Sequence, residues 1–341
     1  MSEGIYTLAN DVVYDQLVAL LNSIEVNAGR DIPVCVIPYD HRLEKVKAEV
    51  ERRKNVSLFD DLTVIEYWEN FVTQAWKAHQ RAQEVWKVRG LPSVYRLAMH
   101  RKLCGINGAF DKFIYFDADT LLMSPLDAVY EKLDEYDWVA NDFQYKSDIK
   151  YIFDRPQDQL LQVFDQEKLP SHIFCAGWFA SKKGVFNSQN LDDLLNQLKS
   201  GEADVMALFG PDQSLFNYMV LRSNIRFYNF AYHGIETATG SHWSSKFDEI
   251  DHVLYDNGKP ITYLHYMSVS SSKFTKLCEG EDTGIPYKDL FLHYRYLNSP
   301  NERPVLKPPS WLEQKKRAVS KFLNQKIDNL NYKLRQLKSR E

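Results

Sequence analysis

Two aspartates, Asp117 and Asp119, stand one residue apart directly after an apolar run, Phe113–Phe116. The run predicts a strand that is covered on both faces. Carboxylates at the rim of such a core need something that compensates their charge. Because both side chains can converge where the strand ends, they could hold a hard divalent cation, which can neutralise the charge of a departing diphosphate. The alternative is that the two acids only cap a turn or a helix after the strand.

The elements that must position these acids alternate between strand and helix patterns. Up to the two acids, the sequence predicts strands at Ile5–Ala9, Pro33–Pro38, Val56–Phe59 and Phe113–Phe116, and helices at Val12–Ile24, Leu43–Arg53, Trp68–Arg89 and Val94–Asn107. Beyond them, it predicts strands at Trp138–Asn141, Phe174–Ser181, Ile225–Phe230 and Ile261–His265, and helices at Asn190–Lys199 and Asp212–Leu221. Such alternation is typical of an α/β fold with a mostly parallel central sheet. Ligands of such sheets bind at the carboxyl ends of the strands.

Composition narrows the classes of function. The 341 residues are 44% hydrophobic, enough for a sizeable core, and the net charge of −4 provides no basic field for nucleic acid. The four cysteines are far apart, which is unlike a zinc knuckle or a redox motif. The signatures of P-loop kinases, dinucleotide-binding oxidoreductases and serine hydrolases do not occur. No leader pattern and no apolar segment of about 20 residues occurs either, so we expect a cytoplasmic protein, or one at the inner face of a membrane.

The composition changes at Pro308, which separates a predicted main domain, residues 1–307, from a predicted helical tail, residues 308–341. Residues 312–341 carry nine Lys or Arg and three Asp or Glu, and apolar residues recur there every three or four positions. This pattern predicts a basic amphipathic helix. Such a helix could bind an anionic membrane, or pair with a second copy in a coiled coil.

The segment around the two aspartates, Phe116–Leu122, resembles the D-x-D metal-binding motif of GT-A glycosyltransferases, and most closely that of family 8, the glycogenin and galactosyltransferase group. The resemblance implies a Rossmann-like GT-A fold with a mixed, mostly parallel central sheet flanked by helices, a UDP-sugar donor and Mn²⁺ or Mg²⁺ as cofactor. It places Asp117, Ala118 and Asp119 in the donor site. It identifies neither the sugar nor the acceptor, which we expect to be a glycan or a lipid-linked sugar.

The first predicted strand and its loop resemble the base-binding start of that family. The resemblance implies that Thr7, Leu8 and Asn10 hold the uracil through backbone and small side chains, and that Tyr14 stacks on it. An aromatic face and a loop at a strand's end are suited to this task. The alternative is a strand, a helix cap and a core tyrosine.

A basic residue precedes the D-x-D strand in the family, near the diphosphate or the sugar. Lys102 matches its spacing best and Arg96 is the other candidate, since a cation here would offset phosphate charge. Phe174–Phe179 resembles the family's F-N-[SA]-G strand, in which glycine lets the backbone approach the donor sugar. Gly177 takes that place, whereas Cys175 stands where Asn is common. The alternative for the basic residues is a solvated helix face, and the alternative for Phe174–Phe179 is a tight core strand.

Two later motifs complete the series. Gly210–Asn217 resembles the family's D-Q-x-x-[LF]-N, which implies that Asp212 accepts from a sugar hydroxyl and that Gln213 approaches the anomeric centre. The alternative for Asp212 is a helix N-cap. His265 matches the first position of a late H-x-x-G-x-x-K-P-W motif, which implies a metal ligand, and imidazole beside carboxylates suits Mn²⁺.

The late motif is incomplete in this chain. Ser268 replaces its Gly, and Lys273, the implied diphosphate contact, comes two residues late and is followed by Phe274. From the ordered motifs we predict a metal-dependent glycosyltransferase that retains anomeric configuration. The alternative is a non-catalytic relative that binds nucleotide or sugar.

Overall fold

The structure is a computed structural model, and it describes residues 1–142, 149–233, 241–308 and 315. The predicted helical tail lies outside the described residues, apart from residues 308 and 315. In the described ranges, no helix is both long enough and apolar enough to span a bilayer.

The strands build one large sheet and two small ones. They are β1 (Glu3–Ala9), β2 (Val34–Pro38), β3 (Val56–Leu58), β4 (Lys112–Asp117), β5 (Thr120–Leu122), β6 (Trp138–Ala140), β7 (Trp178–Lys182), β8 (Phe227–Asn229), β9 (Asp248–Ile250), β10 (Val253–Asp256), β11 (Lys259–Pro260) and β12 (Tyr263–His265). The large sheet has the order β3-β2-β1-β4-β7-β6-β8. Within it, β7 runs antiparallel to both neighbours and the remaining pairings are parallel. The predicted mixed, mostly parallel sheet is therefore confirmed.

Helices cover both faces of this sheet. They are α1 (Tyr14–Asn27), α2 (Glu44–Glu51), α3 (Leu62–Lys77), α4 (Gln80–Val88), α5 (Asp127–Glu135), α6 (Gln157–Val163), α7 (Lys168–Ser171), α8 (Ser188–Lys199), α9 (Pro211–Arg222), α10 (Phe230–His233), α11 (Ser271–Cys278) and α12 (Lys288–Arg295). Segments of 3-10 helix occur at Asp11–Val13, Leu97–Asn107, Glu202–Val205 and Pro300–Glu302. Asn10 caps the first of these, because its side chain accepts from the backbone N–H of Val12.

The apolar run before the D-x-D motif is buried on both faces of the sheet, as the sequence predicts. Phe113 and Tyr115 pack into one hydrophobic core, and Ile114 and Phe116 pack into the core on the other face. All four side chains are fully buried. Because side chains alternate along a strand, an unbroken apolar run is what a strand between two helical layers requires.

Three predicted elements differ from the structure. The predicted helix Trp68–Arg89 is divided between α3 and α4, because the His79 side chain caps a new helix by accepting from the Ala82 N–H. Residues 97–107 wind as 3-10 helix rather than α-helix. The predicted strand Phe174–Ser181 begins only at Trp178, because Ala176 and Gly177 form a turn directly before it.

Candidate active site

Asp117, Asp119 and His265 meet at the carboxyl edge of the central sheet. Asp117 ends β4, and Asp119 lies in the turn between β4 and β5. His265 ends β12, which pairs antiparallel with β5 so that His265 lies opposite Thr120. One potential ligand atom from each of the three side chains lies within 4.8 Å of the others, and the Nε2 of His265 is 3.4 Å from Oδ1 of Asp119. The structure thus brings the three predicted metal ligands together.

Lys102 lies behind this cluster and is completely buried. Its Nζ donates to Asp117 Oδ1 at 3.2 Å, to Asp212 Oδ2 at 2.9 Å and to the carbonyl of Ala176 at 3.1 Å. All three ammonium protons are therefore used. The lysine joins two carboxylates from separate elements, which fixes the position of Asp212 relative to the D-x-D motif.

The charges of this group are unequal. Asp117 and Asp212 flank the ammonium of Lys102, and Asp119 faces His265, so the three carboxylates outnumber the cations even when His265 is protonated. Burial, which outweighs the effect of Lys102, raises the pKa of Asp117. Burial also opposes ionisation of Asp119 and Asp212, but His265 lowers the pKa of Asp119 and Lys102 lowers that of Asp212. Such a compact anionic group attracts a cation.

His265 balances part of that charge. Burial alone would lower the pKa of its imidazole, but the carboxylate of Asp119 and the neighbouring Cys175 hold it well above its ordinary value. The Sγ of Cys175 is 3.9 Å from Nδ1 of His265, on the side of the ring opposite Asp119. Cys175 thus contacts the nitrogen of His265 that faces away from Asp119.

Gly177 is required by the packing of the cluster. A Cβ at this position would overlap Cε1 of His265 and would lie 2.9 Å from Oδ2 of Asp117. The backbone carbonyl of Gly177 accepts from the N–H of Asp117 at 2.8 Å, which keeps the two chains close. Only glycine fits between the two predicted ligands without displacing them.

Tyr115 is a site residue that the sequence reading missed. Its hydroxyl donates to Oδ1 of Asp117 at 2.7 Å, and Nζ of Lys102 lies 5.1 Å from its ring centroid. Because side chains alternate along β4, Tyr115 lies on the same side of the sheet as Asp117, and this spacing of two residues could have predicted the contact.

Asp212 and Gln213 lie in the first turn of α9. The N-cap of this helix is Gly210, so the alternative prediction that Asp212 is the N-cap is wrong. Asn217 exchanges two hydrogen bonds with the backbone of Phe174, at 3.0 and 2.9 Å. These hydrogen bonds hold the D-Q-x-x-F-N motif beside the segment that leads to Gly177.

The predicted base-binding residues lie at the end of β1. Thr7 and Leu8 pair with Phe116 and Asp117 in the sheet ladder. The hydroxyl of Thr7 is buried and has no hydrogen-bond partner among the described residues. Asn10, besides capping, donates to Asp40 at 2.9 Å.

Among the described residues, three other predicted donor contacts form no hydrogen bond or ion pair with the acid cluster. Tyr14 donates to Glu49 at 3.1 Å and lines a cavity of about 730 Å³ bounded by α1, α2 and the end of α12. Arg96 is exposed, with its guanidinium 5.2 Å from the ring centroid of Tyr95. Lys273 is exposed on α11. The donor roles of these residues stay predictions, and Lys102 is the basic residue of its segment that reaches the acids.

No family model matches the sequence, and no curated protein matches it. Solved structures of glycosyltransferases do match the fold. The apo bifunctional glycosyltransferase WbbM is 16% identical with a TM-score of 0.53, and the match covers 89% of this chain and 52% of that one. The chain has a GT-A fold. It spans about half the length of the bifunctional protein.

Two further structures with the GT-A fold match less closely. Mouse xyloside xylosyltransferase 1, in its apo form, is 13% identical with a TM-score of 0.47, and the match covers 67% of this chain and 84% of that one. The galactosyltransferase LgtC, solved with donor and acceptor sugar analogues, is 13% identical with a TM-score of 0.48, and the match covers 81% and 94%. At these identities the similarity concerns the fold.

Ser268 shows how the incomplete late motif is accommodated in this GT-A fold. Its φ of 68° lies in the left-handed region that favours glycine. The turn after His265 thus keeps the conformation of a glycine turn although the residue type differs. The turn is closed by the N–H of Val269, which donates to the carbonyl of Tyr266 at 2.9 Å.

Proposed function

We propose that this protein is a metal-dependent glycosyltransferase that moves a sugar from a UDP-sugar donor to an acceptor. The observation that carries the proposal is the convergence of Asp117, Asp119 and His265, with their ligand atoms within 4.8 Å of one another. The cluster lies at the carboxyl edge of the sheet, where α/β folds bind their ligands.

The residues present fit a divalent cation. Two carboxylates and one imidazole form a donor set that suits Mn²⁺, and Mg²⁺ with additional waters. The side chains of Asp117 and Asp119 remain 21% and 25% exposed, so a ligand from solvent can reach them. The bound cation would offset the negative charge of the departing UDP.

The chain's own residues would orient the donor. Lys102 holds Asp117 and Asp212 in fixed relative positions, and Asp212 with Gln213 would then position the sugar. Thr7 and Leu8 would contact the base, because the buried Thr7 hydroxyl gains a partner when a ligand reaches the end of β1. Retention of anomeric configuration is part of the proposal, on the basis of the resemblance to family 8.

The setting of the reaction is also proposed. A glycan or lipid-linked acceptor fits a cytoplasmic enzyme whose basic tail, residues 308–341, binds the inner face of a membrane. Self-association through the tail is the alternative. Flotation of the full chain with anionic vesicles, compared with a chain ending at residue 307, separates these hypotheses.

The decisive experiment measures UDP release from a panel of UDP-sugars with Mn²⁺. We expect release from one donor by the wild type, and a loss of about 100-fold or more in Asp119→Asn. Asp192→Asn, an exposed acid on α8, is the matched control and keeps the wild-type rate. Equal rates in the wild type and in Asp119→Asn would refute the proposal. UDP binding without release from any donor would instead favour the non-catalytic alternative.

A further inference from the structure

A surface group of two aromatic and two arginine side chains, which we call the aromatic patch, consists of Arg89, Tyr95, Arg96 and Phe209. Tyr95 is partly buried against the hydrophobic core, and the other three side chains are exposed. Phe209 is 45% exposed, although its ring is large and apolar. The Arg89 guanidinium carbon is 4.4 Å from the ring centroid of Phe209, and Tyr95 meets the same ring edge-on at 6.3 Å. An exposed aromatic ring beside cationic side chains provides a face on which a ligand ring can stack.

The two guanidinium groups of the patch are not neutralised. Among the residues that the structure describes, neither Arg89 nor Arg96 forms an ion pair with a carboxylate. Arg96 also adopts a left-handed backbone, with φ of 55° and ψ of 42°. That conformation costs free energy in a residue with a Cβ, and such strain collects at ligand sites.

The patch is connected to the acid cluster through the chain. Phe209 precedes Asp212 by three residues, and Arg96 precedes Lys102 by six. Asp212 and Lys102 form a buried ion pair of 2.9 Å. Two residues of the patch therefore lie at the start of the two segments that carry Asp212 and Lys102 into the proposed donor site.

We propose that the aromatic patch binds an anionic saccharide, as the acceptor of the transfer reaction. The apolar face of a sugar ring stacks on Phe209 beside Tyr95, and a phosphate or carboxylate on that sugar pairs with the planar guanidinium groups of Arg89 and Arg96. This inference rests on the proposed function and names the substrate class of the same site.

The test measures sugar binding without donor or metal, by saturation-transfer NMR on the full chain. The probes are glucose 6-phosphate, glucuronic acid and methyl glucoside. We expect at least one anionic probe to bind more tightly than methyl glucoside. Binding falls about tenfold in the double variant Arg89→Gln/Arg96→Gln and in Phe209→Ala. Leu62→Ala, which removes an apolar side chain that is 68% exposed on α3, is the control and leaves binding unchanged.

The outcomes separate this inference from the proposed function. Preference for glucose 6-phosphate identifies the anion as a phosphate, and preference for glucuronic acid identifies it as a carboxylate. If neither anionic probe binds, or if the patch variants bind as well as the wild type, the inference is wrong. A thermal shift with UDP and Mn²⁺, measured in the same samples, tests the donor site separately. A shift without sugar binding overturns the inference about the patch and leaves the proposed function in place.

Discussion

The substitution Gly177→Ala tests the geometry of the acid cluster with a single methyl group. The new Cβ would lie 2.9 Å from Oδ2 of Asp117 and 3.1 Å from Nε2 of His265, and it would overlap Cε1 of that ring. Ordinary contacts of carbon are about 3.5 Å or longer, so the carboxylate must move by about 0.5 Å and the imidazole by more. Metal–ligand distances tolerate only about 0.2 Å.

Neither predicted ligand can move without a cost. His265 is only 5% exposed, and its strand is paired with β5. We therefore expect Gly177→Ala to weaken Mn²⁺ binding about 100-fold, which corresponds to about 2.8 kcal/mol. We also expect a loss of about 1–3 kcal/mol in the free energy of unfolding, which is typical of overpacking.

The assay is a Mn²⁺ titration that follows free Mn²⁺ by electron paramagnetic resonance, together with urea unfolding of the same samples. Gly4→Ala is the matched control, because its Cβ would overlap the Phe110 ring at the start of β1, away from the acids. It should lose stability and keep Mn²⁺ affinity. Wild-type affinity in Gly177→Ala, or an equal loss in Gly4→Ala, would refute the reasoning.

Three further predictions concern stability. Lys102→Met should lower the free energy of unfolding by about 3–5 kcal/mol at pH 7, because it leaves the buried Asp212 and the partly buried Asp117 without their cation; the deficit in urea unfolding should shrink as falling pH protonates these acids, and a variant as stable as the wild type would contradict the assigned ion pairs. Ser268→Gly should raise the free energy of unfolding by about 0.5–1 kcal/mol, since it relieves a φ of 68°; a lower thermal midpoint would show that the turn is not strained. Burial lowers the pKa of His172 to about 4, from 6.5, so the unfolded chain binds the extra proton between these values and stability falls by about 1–2 kcal/mol as pH decreases through that window. His172→Phe should flatten this part of the pH profile of urea unfolding, and an unchanged profile would assign it to other groups.

The sequence predicted the layers of the fold and the order of the site motifs, because both depend on local patterns. The apolar run Phe113–Phe116 predicts a doubly covered strand, and Asp117 at the end of such a strand lies on the sheet edge. The break between α3 and α4 had no local signal, since neither proline nor glycine occurs there. It depends on His79, whose ring also contacts the carbonyl of Met206 at 3.0 Å, a residue far along the chain.

The internal arrangement of the site was less accessible from sequence. A lysine in a sequence is normally predicted to be exposed to solvent. Lys102 is buried because Asp117 and Asp212, which come from distant elements, both pair with it. The pairing of β5 with β12 joins residues about 140 positions apart, and hydropathy identifies strands but not their partners.

Anomalous scattering from a crystal soaked with Mn²⁺ and UDP tests the proposed metal site most directly. We predict a single strong manganese peak among the side chains of Asp117, Asp119 and His265, with the diphosphate beside it. A crystal in which UDP is bound while the manganese peak lies elsewhere, or in which these three side chains hold no metal, would contradict the proposed metal-dependent transfer.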